Sequence, residues 1–151
     1  MNNNILSFKE NISKIKDAKS FYIKKISLKN FRNHKSLNLN LKNFSILIYG
    51  GNGSGKTNIL EAISLLNQGK GLRKANIENF LNQEKIHCNE NKTWGVNVDF
   101  VGPNGQFNIG TGLKKNGFNK SRIAKVNSDY APLSSLGEIL NISWITPQLC
   151  I

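Results

Sequence analysis

Residues 44–69 read FSILIYGGNGSGKTNILEAISLLNQG, and this stretch decides the fold. Its first part, FSILIYG, is a continuous apolar run that ends in glycine, which predicts a strand buried on both faces. After the glycines, apolar residues recur at the helical spacing of three to four, at Ile59, Leu60, Ile63 and Leu66. The sequence therefore predicts a buried strand, a glycine-rich loop and a helix in direct succession.

The loop itself matches the pattern GxxxxGK[ST]. It consists of Gly50, Gly51, Asn52, Gly53, Ser54, Gly55, Lys56 and Thr57. Glycines allow successive backbone N–H groups to turn inward at the positive end of a helix and to surround a phosphate. We expect Lys56 to bind the β- and γ-phosphates and the Thr57 hydroxyl to complete a Mg²⁺ shell. A glycine-rich turn can match this pattern by accident, but the flanking strand and helix favour a nucleoside triphosphate site.

Further strands and helices are predicted on both sides of this stretch. The segments YIKKISLKNF (22–31) and SLNLNLK (36–42) alternate apolar and polar residues, as a half-buried antiparallel pair does. TWGVNVDF (93–100), QFNIG (106–110) and SRIAKVN (121–127) predict three more strands, the first two joined by a GPNG turn. Helices are expected in ANIENFLNQ (75–83) and PLSSLGEIL (132–140). We therefore expect an α/β fold.

The charge of the chain is strongly positive. Its 151 residues include 21 Lys and Arg against 9 Asp and Glu, for a net charge of +12. Residues 1–42 alone hold ten basic and two acidic residues. Clustered positive charge attracts phosphate polymers, although a bias toward Asn, Ile and Lys also follows from AT-rich coding. The charge alone does not decide between a nucleic-acid partner and a bias in composition.

The spacing of the cysteines and the hydropathy of the chain indicate the cellular compartment of the protein. Cys88 and Cys150 are far apart and form no CxxC pair, which favours a reducing environment. No run of about 18 apolar residues marks a membrane span. We expect a cytoplasmic protein with no membrane partner.

Three stretches of the sequence together carry a family resemblance. They are ISLKNFRNHKSLNLNL (26–41), ILIYGGNGSGKTNILEAISLL (46–66) and GKGLRKANIENFL (69–81). In combination they resemble the RecF family. The form GxNGSGKT resembles ABC and SMC-like ATPases rather than GTPases. KVNSDYAPLSSLGEIL (125–140) and WITPQL (144–149) resemble the family more weakly. The resemblance covers about residues 22–149.

The resemblance implies a fold and a set of site residues. It implies the amino-terminal lobe of an ABC/SMC-like P-loop ATPase with an antiparallel β-subdomain at residues 22–151, preceded by a loose basic arm at residues 1–21. Arg32 and Asn33 are then expected near the nucleotide, and Gly50–Thr57 form Walker A. Gln148 matches the Q-loop region and is expected to join Thr57 at the metal.

The resemblance also implies a function. RecF-type proteins bind ATP with Mg²⁺ and bind single-stranded and gapped double-stranded DNA. They form ATP-dependent homodimers and act with RecO and RecR to load RecA in recombinational repair and the SOS response.

The sequence departs from the family pattern in one large respect. An LSxGQ-type signature, a Walker B Asp-Glu pair, a D-loop and a switch His do not follow Walker A within these residues. Because hydrolysis needs a metal-binding Asp and a group that activates water, we expect no catalytic residues in this chain. Two alternatives stay open: another SMC-like or OLD-type ATPase lobe, and a non-hydrolysing nucleotide- or DNA-binding remnant.

Several other residues are candidates for chemistry. Glu61, one turn beyond the loop, is expected to face solvent. His87 and Cys88 lack the further ligands of a zinc site. Among the aromatic residues we expect Trp94 and Phe100 in the core and Phe107 in a return strand. The segment 114–125, with Phe118 among its lysines, is the candidate for contact with a DNA backbone.

Overall fold

The computed structural model describes residues 21–42, 44–82, 93–102 and 105–145. These residues form six strands, two α-helices and one 3₁₀ turn. In chain order they are β1 (Tyr22–Phe31), β2 (His34–Asn40), α1 (Lys56–Ser64), the 3₁₀ turn (Ile77–Phe80), β3 (Gly95–Gly102), β4 (Gly105–Asn116), β5 (Asn119–Val126), β6 (Asp129–Ala131) and α2 (Leu133–Ile139). The predicted arm at residues 1–21 lies outside the described residues except for its last residue.

The six strands form one antiparallel sheet with the order β2-β1-β3-β4-β5-β6. The register aligns the apolar positions of neighbouring strands: Ile26 lies opposite Val98, Val98 opposite Ile109, and Ile109 opposite Val126. Because side chains alternate between the two faces of a strand, this alignment gathers the apolar residues on one face of the sheet. We call it the inner face, and the opposite one the outer face.

The core lies between the inner face and α1. The helix contributes Ile59 and Ala62, and the residues directly after it, Leu65 and Leu66, are also buried. The predicted core positions of Trp94 and Phe100 are confirmed, since both are buried, and Phe107 of the predicted return strand is buried as well. Alternating apolar residues in the strands and a helical apolar stripe therefore meet as the sequence indicates.

The segment FSILIYG differs from the prediction of a buried strand. Residues 44–50 carry no assigned strand, and Phe44, Leu47 and Tyr49 are 75%, 84% and 85% exposed. A strand requires a neighbour for its backbone hydrogen bonds. Among the described strands none pairs with this segment, because the sheet is built entirely from the residues before and after it. Apolar composition alone therefore did not produce a strand.

The predicted helix at residues 75–83 is also shorter than expected. Only Ile77–Phe80 is helical, as a single 3₁₀ turn, and Leu81 returns to extended backbone. Leu81 forms a β-bridge with Phe31, and the Asn82 N–H donates to the Asn30 carbonyl at 2.8 Å. Pairing with the end of β1 has overridden the local helical pattern.

Arg122 fastens the end of α1 to the sheet. From the inner face of β5 its guanidinium donates to the carbonyl oxygens of Leu65 and Gly69, to that of Asn67 at 3.2 Å, and to the Thr111 hydroxyl at 2.9 Å. The last carbonyls of a helix lack intrahelical partners and carry partial negative charge, so a cation here is favourable. Burial lowers the pKa of Arg122, but an arginine stays charged at neutral pH.

Replacing this guanidinium tests its contribution. The Arg122→Met variant leaves the carbonyls near the end of α1 without their donor, so we expect the free energy of unfolding to fall by about 3 kcal/mol. Urea denaturation monitored by circular dichroism measures this loss. The control is Lys24→Met, a variant of a surface lysine that donates to Gln106 at 3.2 Å, with an expected change within about 0.5 kcal/mol. Equal losses of unfolding free energy in the two variants would contradict the role of Arg122 in holding the end of α1 to the sheet.

Candidate nucleotide-binding site

The glycine-rich loop ends at the amino terminus of α1. Gly53 and Gly55 have left-handed φ angles of 80° and 90°, and Gly55 is the N-cap of the helix. No side chain caps this end, and the first turn contains no acidic residue. The first N–H groups of a helix have no intrahelical acceptor and form its positive end. The loop therefore leaves a helix terminus able to receive an anion.

Lys56 and Thr57 lie in the first turn of α1. The Lys56 ammonium donates to the carbonyl oxygens of Gly50 and Gly51, each at 2.7 Å, so it folds back across the loop. Phosphate oxygens are stronger, charged acceptors for the same group. Thr57 is exposed, with its hydroxyl at the same end of the helix. Both residues fit the roles expected of them toward a triphosphate and Mg²⁺.

The donor set also fits Mg²⁺ better than a metal held by the protein alone. Within the described ranges, no group of three His, Cys, Asp or Glu residues can hold a metal ion. Mg²⁺ retains several waters and is commonly bound by one or two protein ligands together with substrate phosphates. Thr57 is suited to be such a ligand, and a bound ion would supply positive charge that neutralises the phosphates.

The turn between β1 and β2 packs directly against the loop. The Asn33 amide donates to the Gly53 carbonyl at 3.3 Å, and His34 Nε2 lies 3.3 Å from the Gly55 carbonyl oxygen. A Cβ at Gly55 would lie 2.5 Å from His34 and 2.7 Å from Asn33. The left-handed φ of 90° favours glycine here, and a larger residue would also displace the ends of these two side chains. The structure thus places Asn33 beside the loop.

Arg32 points to Glu61 instead of the loop. Its Nε and Nη2 donate to the two carboxylate oxygens at 2.9 and 2.8 Å, and Arg73 adds a contact to the same carboxylate at 3.3 Å. Glu61 is completely buried, so the expectation that it faces solvent is wrong. Two guanidinium groups provide the compensating charge that a buried carboxylate requires.

Hydrogen bonds connect this ion pair to the loop. Arg73 donates to the Asn58 side-chain oxygen at 3.2 Å, and the Asn58 amide donates to Asn33 at 2.8 Å. Asn33 in turn contacts Gly53 of the loop. Sequence reasoning did not single out Asn58 or Arg73 as site residues. Two features of the sequence could have identified them. Asn58 and Glu61 are three residues apart and so lie on one side of a helix, and GKGLR supplies an arginine.

Some predicted positions are not described by the structure. Gln148, the second expected metal ligand, lies outside the described residues, as do His87 and Cys88. Among the helices that are described, none is long and apolar enough to cross a membrane.

A family model described as "AAA ATPase domain" matches residues 22–133. This chain belongs to that family. The match includes the loop, Glu61 and both of its arginines, so the residues that form the site lie within the AAA ATPase domain.

Curated relatives of this AAA ATPase domain are named DNA replication and repair protein RecF. The protein of Rickettsia canadensis is 33% identical over 131 residues, which are 87% of this chain and 34% of the relative. That of Rickettsia rickettsii (strain Sheila Smith) is 34% identical over the same lengths. The chain thus spans about a third of the length of these relatives.

Solved structures of RecF are also similar to this chain. The recombination mediator protein RecF with ATP, of the RecFOR pathway, is 33% identical with a TM-score of 0.63, over 80% of this chain and 31% of that one. A second RecF structure, titled RecF-ATPrS, is 31% identical with a TM-score of 0.64, over 82% and 30%. The predicted resemblance to the RecF family and the predicted fold class, a P-loop ATPase lobe with an antiparallel sheet, are confirmed.

Removing the charge of Glu61 tests the buried ion pair. The Glu61→Gln variant keeps the shape but leaves Arg32 and Arg73 without their buried anion, so we expect the free energy of unfolding to fall by about 3 kcal/mol. Urea denaturation measures the effect. Glu78→Gln is the matched control: its partner Lys120 is 3.0 Å away on the surface, and its loss should cost less than about 1 kcal/mol. If Glu61→Gln lowers the free energy of unfolding no more than the control does, the buried ion pair does not stabilise the fold.

Proposed function

We propose that this chain is the nucleotide-binding part of a RecF-type DNA repair ATPase, and that it binds ATP with Mg²⁺ at Gly50–Thr57. The observation that carries this proposal is the uncapped positive end of α1, with the Lys56 ammonium lying across the loop that precedes it. Backbone N–H groups and one lysine at a helix terminus are suited to a polyphosphate. The similar solved structure of RecF with ATP supports the choice of nucleotide.

Each predicted residue has a role in this proposal. Lys56 binds the terminal phosphates, and the Thr57 hydroxyl is a ligand of Mg²⁺, with Gln148 as a second ligand. Asn33 acts beside the nucleotide by holding the Gly53 carbonyl of the loop. Arg32 acts through Glu61, because the bidentate pair sets the position of α1 against β1.

The proposal extends to DNA and to protein partners. We propose single-stranded and gapped double-stranded DNA as the polymer that is bound, and RecO, RecR and a second copy of the complete protein as partners. The process is recombinational repair with RecA loading in the SOS response, in the cytoplasm. The net charge of +12 and the family of the relatives support this assignment.

Lys56→Ala tests the nucleotide site. Loss of the ammonium removes the charged donor to the terminal phosphates, so we expect ATP affinity to fall by about 10- to 100-fold. Isothermal titration of ATP with Mg²⁺ measures it. Lys70→Ala, a variant of an exposed lysine in the turn after α1, should retain the affinity of the unaltered chain. Unchanged ATP affinity in Lys56→Ala contradicts the assignment of the site.

Reversing charge at Lys114 and Lys115 tests the DNA assignment. The double change to Glu replaces attraction to phosphates by repulsion, so we expect DNA affinity to fall by at least about tenfold while ATP affinity is retained. Fluorescence anisotropy of a labelled single strand measures it at fixed salt. The matched control is the double change of Lys24 and Lys42 to Glu, at the opposite end of β4, where Lys24 contacts Gln106. Equal losses in the two double variants indicate non-specific attraction alone.

A further inference from the structure

The hairpin of β4 and β5 extends beyond the rest of the sheet. Pairing between β3 and β4 ends at Gly95 and Gly112. Pairing between β4 and β5 continues for four more residue pairs, to Asn116 and Asn119. At the usual rise along a strand, this end of the hairpin projects by about 14 Å. The turn that closes the hairpin therefore lies beyond the ends of the other described strands.

The tip carries an aromatic ring that the fold does not use. The two-residue turn consists of Gly117, with a left-handed φ of 59°, and Phe118. A turn of this kind requires glycine at its first central position but no aromatic residue at the second. Phe118 is fully exposed and stands apart from the core cluster. Neither the turn nor the packing explains a phenylalanine here.

Positive charge surrounds this ring. Residues 113–131 contain four lysines and one acidic residue, Asp129, while their one arginine, Arg122, is turned to the carbonyls after α1. Lys115 and Lys120 lie directly opposite each other in the strand pair, a placement of like charges that disfavours the pairing itself. Lys120 contacts Glu78 at 3.0 Å. Such a concentration of lysines fits a polyanionic partner.

The outer face of the sheet continues the same surface. Tyr130 is 62% exposed, with the ammonium groups of Lys114 and Lys125 at 5.3 and 4.7 Å from its ring centre. Both ammonium groups are thus within cation–π distance of the same aromatic ring. A groove of about 720 Å³ begins beside Lys125 and crosses the strands. Lys29 and Lys35 also line it.

Three glycines are among the residues that line this groove. Gly95, Gly110 and Gly112 line it, so the backbone in the middle of the sheet carries no side chains there. At the usual spacing between strands, the groove measures about 19 Å from β2 to β5. A shallow path with cations at both ends matches a phosphate chain better than a compact small molecule.

We infer that this surface binds a single-stranded nucleic acid, with Phe118 stacked on an unpaired base. We define it as the hairpin surface, formed by Lys29, Lys35, Lys114, Phe118, Lys125 and Tyr130. Its lysines contact the phosphates, and only a strand whose bases are unpaired can present a base face to an aromatic ring. An acidic protein would satisfy the charge but would leave the exposed ring unexplained. This inference rests on the proposed function and adds the site and the form of DNA that it takes.

Two oligonucleotides of equal charge test the stacking. We would measure the affinity for a 15-nucleotide dT strand and for an abasic strand with the same number of phosphates, by fluorescence anisotropy. Stacking of one base on an aromatic side chain predicts that the unaltered chain prefers the dT strand by about 5- to 50-fold. Phe118→Ala should lose this preference while its affinity for the abasic strand is unchanged.

Two further variants separate stacking from charge. Phe118→Trp should retain the preference, and its added fluorescence should be quenched by the dT strand but not by the abasic one. Lys125→Ala should weaken binding of both strands alike and reduce the salt dependence of log K by about 0.7. Phe44→Ala, a variant of another exposed aromatic residue, is the control and should behave like the unaltered chain.

The outcomes distinguish this inference from the proposed function. If the unaltered chain binds neither strand, the proposed binding of DNA is wrong. If it binds both strands equally, or if Phe118→Ala keeps the preference for dT, DNA binding stands and the hairpin surface is overturned as the base-contacting site. Tighter binding of polyglutamate than of dT at the same charge also overturns it, in favour of an acidic protein partner.

Discussion

The rest of the site depends on the ion pairs that the buried carboxylate of Glu61 forms with Arg32 and Arg73. Removing a charge from water costs several kilocalories per mole, and a lone glutamate would not remain in this position. The bidentate contact with Arg32 and the second contact with Arg73 compensate for that cost. Because a bidentate pair is restricted in angle as well as distance, it fixes three segments together: the turn after β1, the helix α1 and the turn that contains Arg73.

The position of the phosphate-binding loop follows from this ion pair. Arg32 is followed directly by Asn33, so the contact with Glu61 brings Asn33 to the Gly53 carbonyl and His34 to Gly55. At its other end α1 is held by Arg122, which binds the carbonyl groups that follow the helix. The helix is thus fastened at both ends to the sheet. Its amino terminus is the part left open for an anion.

The sheet separates the two proposed activities. Its inner face packs against α1, whose amino terminus carries the glycine-rich loop. Its outer face has few apolar side chains and carries lysines, glycines and the exposed Tyr130. Strand alternation assigns each residue to one face or the other, so a chain of this length can present a nucleotide site and a basic surface without overlap between them.

The sequence by itself determined the features that depend on local spacing. The glycine pattern of Walker A, the helix after it and the alternation in strands such as β3 require only neighbouring residues, and so does the resemblance to the RecF family. The tertiary structure decided the features that need a partner from elsewhere in the chain. Residues 44–50 have the composition of a buried strand, yet their backbone pairs with none of the described strands. Glu61 is buried because Arg32, 29 residues earlier, reaches it. Residues 81–82 leave the helical pattern because the end of β1 supplies hydrogen bonds. Burial and pairing depend on contacts between distant residues, which spacing along the sequence does not specify.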